Sequence, residues 1–384
     1  MSTKLLIIGA GVVGLAAAYI ARSAGLSVTV LERHPLACGA SVRNFGMLWP
    51  IGQPTGPLHD LAIRSRALWQ HAADTTGLWL NPCGSLHLAH HEDEQAVLEE
   101  FIAQSPARSL SLLTADQVRE ITPAAASRLG PARLRAGLHS TTEAAVNPRT
   151  ASAHLAQWLA AQPNVSIQFN ALVREVSDSH AITARGERHD FDFCLICGGA
   201  DITTLYPDFL CTHTLRLCKL HMLATPPNQA PRIGPHLASG LTLRHYRNFE
   251  ICKSHAALRR RIATQAPELD RYGIHVMASQ DDAGRIILGD SHEYDHNITP
   301  FDNALIDELM LRELQLVFNL PSWDIAQRWH GIYAKHPSLA YVHAPQSPRV
   351  HALTGLGGAG MTLSFGAAEQ TLLNAGIIGE VFGL

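Results

Sequence analysis

The chain has no run of about 18 uninterrupted apolar residues, so nothing in it reads as a membrane span. It has no excess of one charge sign either. Its 30 basic residues stand against 33 acidic ones, which excludes the global basic field that nucleic acid or an anionic membrane calls for. A disulfide framework is also missing: the seven cysteines are odd in number and follow no secretory leader, so a reducing, cytoplasmic setting is expected. Cys194 and Cys197 form a CxxC, but inside the apolar stretch "FDFCLICGGA" they read as two buried small residues ahead of a redox pair. There is no internal repeat, low-complexity tract or long linker. At 384 residues the chain predicts two domains, and without a linker these must share the chain by crossing over more than once.

What is present begins with "LLIIGAGVVGLAAAYIARSAGLSVTVLER", residues 5–33. An apolar strand over 4–8 runs into Gly9, Gly11 and Gly14, a helix over 12–24 closes at Gly25, and a second strand over 26–32 ends on Glu32. The glycines serve a tight turn, close approach of backbone to a pyrophosphate, and close packing of helix on strand. The helix N-terminus offers N–H groups and a positive dipole end to phosphate. Glu32 suits the ribose hydroxyls of an adenosine, and its charge opposes a 2′-phosphate. A dinucleotide other than NADP is therefore expected.

Further along, 57–77 has the spacing of an amphipathic helix, 93–130 reads as a helical, polar surface excursion, and 150–161 as another helix. "VSIQFNALVREVS" reads as a pair of short strands. Residues 215–290 alternate apolar and polar positions in the manner of an antiparallel sheet with one covered face, including "LTLRHYRNFEIC" as a strand. A helix is expected over 300–318, capped near Thr299 or Asp302, and the chain ends on a strand, a glycine loop and a helix beginning near Thr362.

Four segments carry a resemblance to the D-amino-acid-oxidase-like flavoproteins, which include glycine oxidase, sarcosine oxidase and D-amino-acid dehydrogenase. They are the glycine fingerprint with Glu32, "GASVRNFGMLWPIG" at 39–52, "FDFCLICGGA" at 191–200 and "GLGGAGMTLSFG" at 355–366. The resemblance implies noncovalent FAD. It implies an α/β fold with a Rossmann-type FAD-binding domain (1–80, 140–212 and 322–384) interleaved with an antiparallel-sheet α+β substrate domain (81–139 and 213–321). The cofactor positions it marks are Gly9, Gly11, Val12, Val13, Gly14, Glu32, Arg33, Ser41, Arg43, Asn44, Gly46, Met47, Val173, Gly198, Gly199, Gly357, Gly358, Gly360, Met361 and Thr362. A flavin is too large for one βαβ unit, so a second glycine loop at 357–360 before a helix also has a physical purpose: its dipole stabilises negative charge on the reduced ring.

Such enzymes pass a hydride from the carbon bearing an amine to flavin N5, the imine hydrolyses, and oxygen or another acceptor takes the electrons. Orientation and desolvation carry the rate, so no catalytic acid, base or metal is obligatory. Two departures from familiar members matter. "RWHGIYAKHP" at 328–337 contains no cysteine to tether the flavin, and after Gly331 comes Ile332 where amino-acid oxidases of the family carry a carboxylate-clamping arginine. In its place "TLRHYRNFEICK" offers Arg244, His245, Tyr246, Arg247 and Lys253, with Arg244 and Tyr246 on one strand face and His245 and Arg247 on the other. With Trp49, Tyr333, Lys335 and His336 these are the candidate substrate residues. Met47 and Trp49 are equally well explained as core, and the charges as solvated edge-strand groups.

"SVRNFGMLWPIGQP" and "VNPRT" further resemble a branch associated with aminophosphonate breakdown, which makes 2-aminoethylphosphonate or its N-methyl derivative the expected substrate and phosphonoacetaldehyde the product. Glycine, sarcosine or a D-amino acid is the alternative. A flavin-bearing RNA-modifying protein shares the fingerprint but needs a basic surface this composition lacks. Of the 22 histidines, His292 and His296 with Asp295 are the best-placed metal ligands, yet no fourth ligand sits at a recognisable spacing, so no metal is expected.

Overall fold

Lys4–Ile8 is apolar after its first residue, and alternate side chains point to opposite faces: Leu5 and Ile7 join one core, Leu6 and Ile8 another. A strand buried on both sides belongs inside a parallel sheet. The computed structural model, which describes residues 2–125 and 134–383, places it there. The six strands lie in the order Val342–Ser347, Val350–Thr354, Phe193–Ile196, Lys4–Ile8, Ser27–Leu31, Val165–Gln168, all parallel to their neighbours except the first. Helices Val12–Ser23, Pro57–Thr76, Pro148–Ala160 and Gly360–Asn374 join one core through Leu15, Trp69, Leu155 and Phe365. Each such fully buried large apolar side chain contributes about 1.5 to 3 kcal/mol. The second core lies under a small antiparallel sheet of Val173–Val176, His180–Thr183 and Arg188–Asp190.

The second large sheet is built around Arg216–Ala224. Along one edge this strand pairs antiparallel with Gln327–Lys335 over its full length. Along the other it meets Ile286–Gly289 and, after an interruption at 290–292, Glu293–Asp295. The sheet continues through Met277–Gln280, His236–Ala238, Ser85–Ala89, Ala136–Ser140 and Leu110–Thr114, with His236–Ala238 and Ser85–Ala89 pairing parallel. The mixed α/β fold expected from the sequence is present. The strand Gln327–Lys335, which the boundary at 322 assigns to the nucleotide half, hydrogen-bonds into this second sheet.

Three local expectations are corrected. Within 93–130 only Glu92–Gln104 and Ala115–Ile121 are α-helices, and Leu110–Thr114 between them is an edge strand of the second sheet; 126–133 lie outside the described residues. "LTLRHYRNFEIC" is not a strand but two 3-10 turns, Gly240–Arg244 and Arg247–Ile251. Its alternation of polar and apolar residues serves irregular backbone whose buried Leu241, Leu243 and Phe249 fill the core of this half. The late helix is Ala304–Val317, and its N-cap is Asn303, whose Oδ1 accepts from Leu305 N.

Candidate active site

Gly11 opens the first helix, and Val12, Val13 and Gly14 form its first turn. Val12 N donates to Ser41 Oγ at 2.9 Å, which ties the 39–46 loop to the helix N-terminus. Gly14 admits no side chain: a Cβ there would lie 2.0 Å from Gly9 O, a backbone atom that no rotamer can relieve. Glu32 is 9% exposed, and its two carboxylate oxygens accept from Ala10 N and His34 N, each at 2.9 Å. Each oxygen keeps a lone pair for a ribose hydroxyl. Arg33 instead pairs with Asp201, next to Gly198 and Gly199, and Gly199 O accepts from Thr354 Oγ1. Val173 is buried in the core beneath the small sheet.

Asn44 shapes the 39–46 loop. Its Nδ2 donates to Ala40 O and Ser41 O, and its Oδ1 accepts from Gly46 N at 2.7 Å. Arg43 faces the second sheet, where Nη1 reaches His330 O and its carbonyl accepts from Trp329 Nε1, both at 3.3 Å. Met47 pairs with Ala145 in a short strand, and Trp49 N donates to Thr362 Oγ1 at 2.9 Å, joining this loop to the last helix. Met361 O accepts from Trp69 Nε1. The loop of Gly357, Gly358 and Gly360 lies against Gln327–Lys335: Gly357, at φ +58°, would place a Cβ 3.2 Å from Lys335 Cγ, and Gly358 one 3.4 Å from the Tyr333 hydroxyl. The glycine turn, the Glu32 carboxylate and this second glycine loop with its helix fit a flavin dinucleotide.

On the substrate side the expected residues divide. Arg244 is engaged within its own segment and with its neighbours: Nε donates to Asp270, Nη1 to Leu241 O and Nη2 to Ile274 O, all at 2.8 to 2.9 Å. His336 Nδ1 accepts from Ser338 N and Leu339 N and so holds a turn. Tyr246 and Trp49 pack together at 6.2 Å between ring centroids, and Tyr246 also touches His245 and His275. Tyr333 and Lys335 remain beside the glycine loop.

Residues 4–372 match the family described as "FAD dependent oxidoreductase". The chain belongs to that family. Its fold is similar to glycine oxidase from Geobacillus kaustophilus (TM-score 0.75, 18% identity, 100% of this chain and 97% of that one) and from Bacillus cereus ATCC 14579 (0.74, 19%, 98% and 95%). It is similar too to a dithionite-reduced L-alpha-glycerophosphate oxidase from Mycoplasma pneumoniae with FAD bound (0.71, 18%, 98% and 95%). At these identities the likeness is one of fold. A curated relative, the tRNA 5-methylaminomethyl-2-thiouridine biosynthesis bifunctional protein MnmC of Magnetococcus marinus, is 28% identical over 242 residues, 59% of this chain. The chain spans about a third of that relative's length (34%). Among the described residues no helix is long and apolar enough to cross a membrane.

The electrostatics around Lys335 follow from burial. Lys335 is half-buried, and desolvation holds its ammonium below the usual lysine range. The Cys218 thiol opposes that shift, and the charge of Arg247 adds to it. Burial pushes Cys218 itself up to about 12, so at neutral pH it is an uncharged thiol and does not balance the lysine. Among the described residues no carboxylate lies within ion-pair distance of Lys335 Nζ; its partners are the Tyr294 hydroxyl at 3.3 Å and the face of that ring. Burial also raises the Tyr333 hydroxyl.

Sequence reasoning missed one constellation. His292 turns inward and meets His245 and His275, while Asp295 and His296 are exposed and take no part. The hairpin register alone did not signal it. Met277–Gln280 and Ile286–Gly289 pair antiparallel around a turn at 281–284, and extending that ladder would put His275 opposite Ser291; a one-residue shift beyond Gly289 instead pairs His275 with Asp290.

Proposed function

We propose that this flavoenzyme oxidises a small primary or secondary amine carrying an anionic group, with 2-aminoethylphosphonate or its N-methyl derivative as the substrate. FAD, when bound, accepts the hydrogen and two electrons from the carbon bearing the amine. Water then hydrolyses the imine to phosphonoacetaldehyde and ammonia or methylamine, and oxygen or another acceptor takes the electrons. The observation that carries the reading is Lys335, a half-buried cation beside the second glycine loop with no carboxylate partner among the described residues. A desolvated charge left unpaired is costly, so this position favours an anion on the substrate. The Arg247 charge acting on Lys335 supplies a second positive neighbour, which suits a dianion better than a carboxylate. The rest of the chain's contribution is orientation, for which Tyr333, whose hydroxyl lies beside Gly358, and Tyr246, packed on Trp49, are the aromatic candidates. FAD is held noncovalently, since 328–337 offers no cysteine. An RNA substrate has less support, because the charge balance supplies no basic surface.

Anaerobic bleaching of the flavin absorbance across a panel of amines tests this. Aminophosphonates should reduce the flavin fastest, and Lys335→Met should lower kcat/KM for 2-aminoethylphosphonate by roughly a hundredfold, about 2.7 kcal/mol, with little change in the flavin spectrum. Faster reduction by glycine, sarcosine or D-alanine would replace the phosphonate by an amino acid.

A further inference from the structure

His245, His275 and His292 lie on separate segments of the second half, yet one ring nitrogen of each falls within 4.8 Å of the others. His275 and His292 are 2% and 7% exposed, and Asp290 between them is 6% exposed. His275 makes no hydrogen bond from either ring nitrogen, and Asp290 Oδ1 makes none. The distances between them are informative. His275 Nε2 lies 3.4 Å from Asp290 Oδ1, and His292 Nε2 lies 3.6 Å from Oδ2. These are too long for strong hydrogen bonds. They place one carboxylate oxygen beside each of the two rings, as an outer-shell anion would stand beside two metal-bound imidazoles. His292 is also preset as a ligand. Its Nδ1 lies 3.1 Å from Gly273 O, which fixes the proton on Nδ1 and leaves the Nε2 lone pair free, the usual outer-shell arrangement of a metal-binding imidazole.

We propose that His245, His275 and His292 form a binding site for one divalent first-row cation, with Asp290 as its outer-shell carboxylate and zinc the ion that best matches three imidazoles. The neighbouring cations do not forbid it: Arg244 is already neutralised by Asp270, and the Lys335 ammonium rests against Tyr294. The site is independent of which amine the enzyme oxidises.

The test uses purified FAD-loaded enzyme, stripped with EDTA and titrated with zinc, with bound metal measured by mass spectrometry. The expected result is one equivalent of zinc per chain. His275→Asn and Asp290→Asn should each weaken zinc affinity by at least roughly tenfold, while His296→Asn, on the exposed strand end, should not. Flavin absorbance and melting temperature in chelator should be kept in all three. If His275→Asn fails to fold, the half-buried His245→Asn replaces it. Zinc binding below one equivalent, or an affinity unchanged in the ligand variants, overturns the proposal and leaves a packed cluster of neutral rings. Zinc retention is read without turnover, so failure of the phosphonate reading leaves this result intact.

Discussion

Replacing Glu32 tests whether the carboxylate holds the cofactor or only the turn. Two backbone donors, Ala10 N and His34 N, already spend one lone pair on each oxygen at 2.9 Å, and a ribose would use the remaining ones. Glu32→Ala removes the charge-assisted bonds to both. A hydrogen bond to a charged group is worth about 1.5 to 3 kcal/mol, so loss of the ribose contact should weaken FAD binding roughly 10- to 150-fold. The orphaned Ala10 and His34 N–H groups add a cost to the folded chain with or without cofactor. Titrating deflavinated protein with FAD, following flavin fluorescence, gives the affinity, and melting curves with and without FAD separate the two effects. At fixed excess FAD, a hundredfold weaker site loses about 2.7 kcal/mol of ligand stabilisation. FMN, which has no adenosine ribose, supplies the control. Glu32→Ala should penalise FAD far more than FMN. An FAD affinity within threefold of the parent, or equal losses for both flavins, would show that Glu32 acts through the turn alone.

Arg244→Met should behave as a structural change. It removes bonds to Asp270, Leu241 O and Ile274 O, but Asp270 is 44% exposed and rehydrates, so the cost should be about 1 to 3 kcal/mol and a melting temperature lower by several degrees, with KM for the amine unchanged within twofold; a tenfold rise in KM at constant melting temperature would restore Arg244 as the anion clamp. Alkylation of the native protein with iodoacetamide at pH 8 should modify exposed Cys211 first. Burial pushes Cys197 up to about 12 and raises Cys194 as well, so only about one Cys197 in ten thousand is thiolate at that pH, and rapid labelling of the pair, or a disulfide between them, would contradict the reading of two buried small residues.

The nucleotide half was legible because its signals are local. The glycine spacing, the strand that precedes it and the acid that closes the unit occupy one consecutive stretch, residues 4–32, and the geometry at Gly14 and Glu32 follows from them. The way Asn44 folds the 39–46 loop was not legible, because it depends on three hydrogen bonds to the loop's own backbone. The roof was less legible for the opposite reason. Alternation predicted Arg216–Ala224 and Ile286–Gly289 correctly, yet the same pattern at 241–252 belongs to 3-10 turns, since an apolar residue every second position also satisfies a loop packed over a core.

Arg244 and the histidines show what this costs a functional reading. If 241–252 were a strand, Arg244 would project across the sheet and His245 would point the other way. As the turn Gly240–Arg244 it bends the chain instead, so the guanidinium folds back onto Leu241 O and Ile274 O while His245 is carried inward against His275, at 3.9 Å between ring centroids. One misassigned segment therefore exchanged the roles of two neighbours. The cation that sequence pattern placed in the pocket is used to anchor a turn, and the imidazole beside it gains the company of two others, with the Asp290 carboxylate next to both. Long-range register, rather than composition, decides where each of these groups lies. For that reason the proposed anion contact falls to Lys335, fixed by nine consecutive pairings with Arg216–Ala224 and set against Gly357, rather than to a residue of the 241–252 segment.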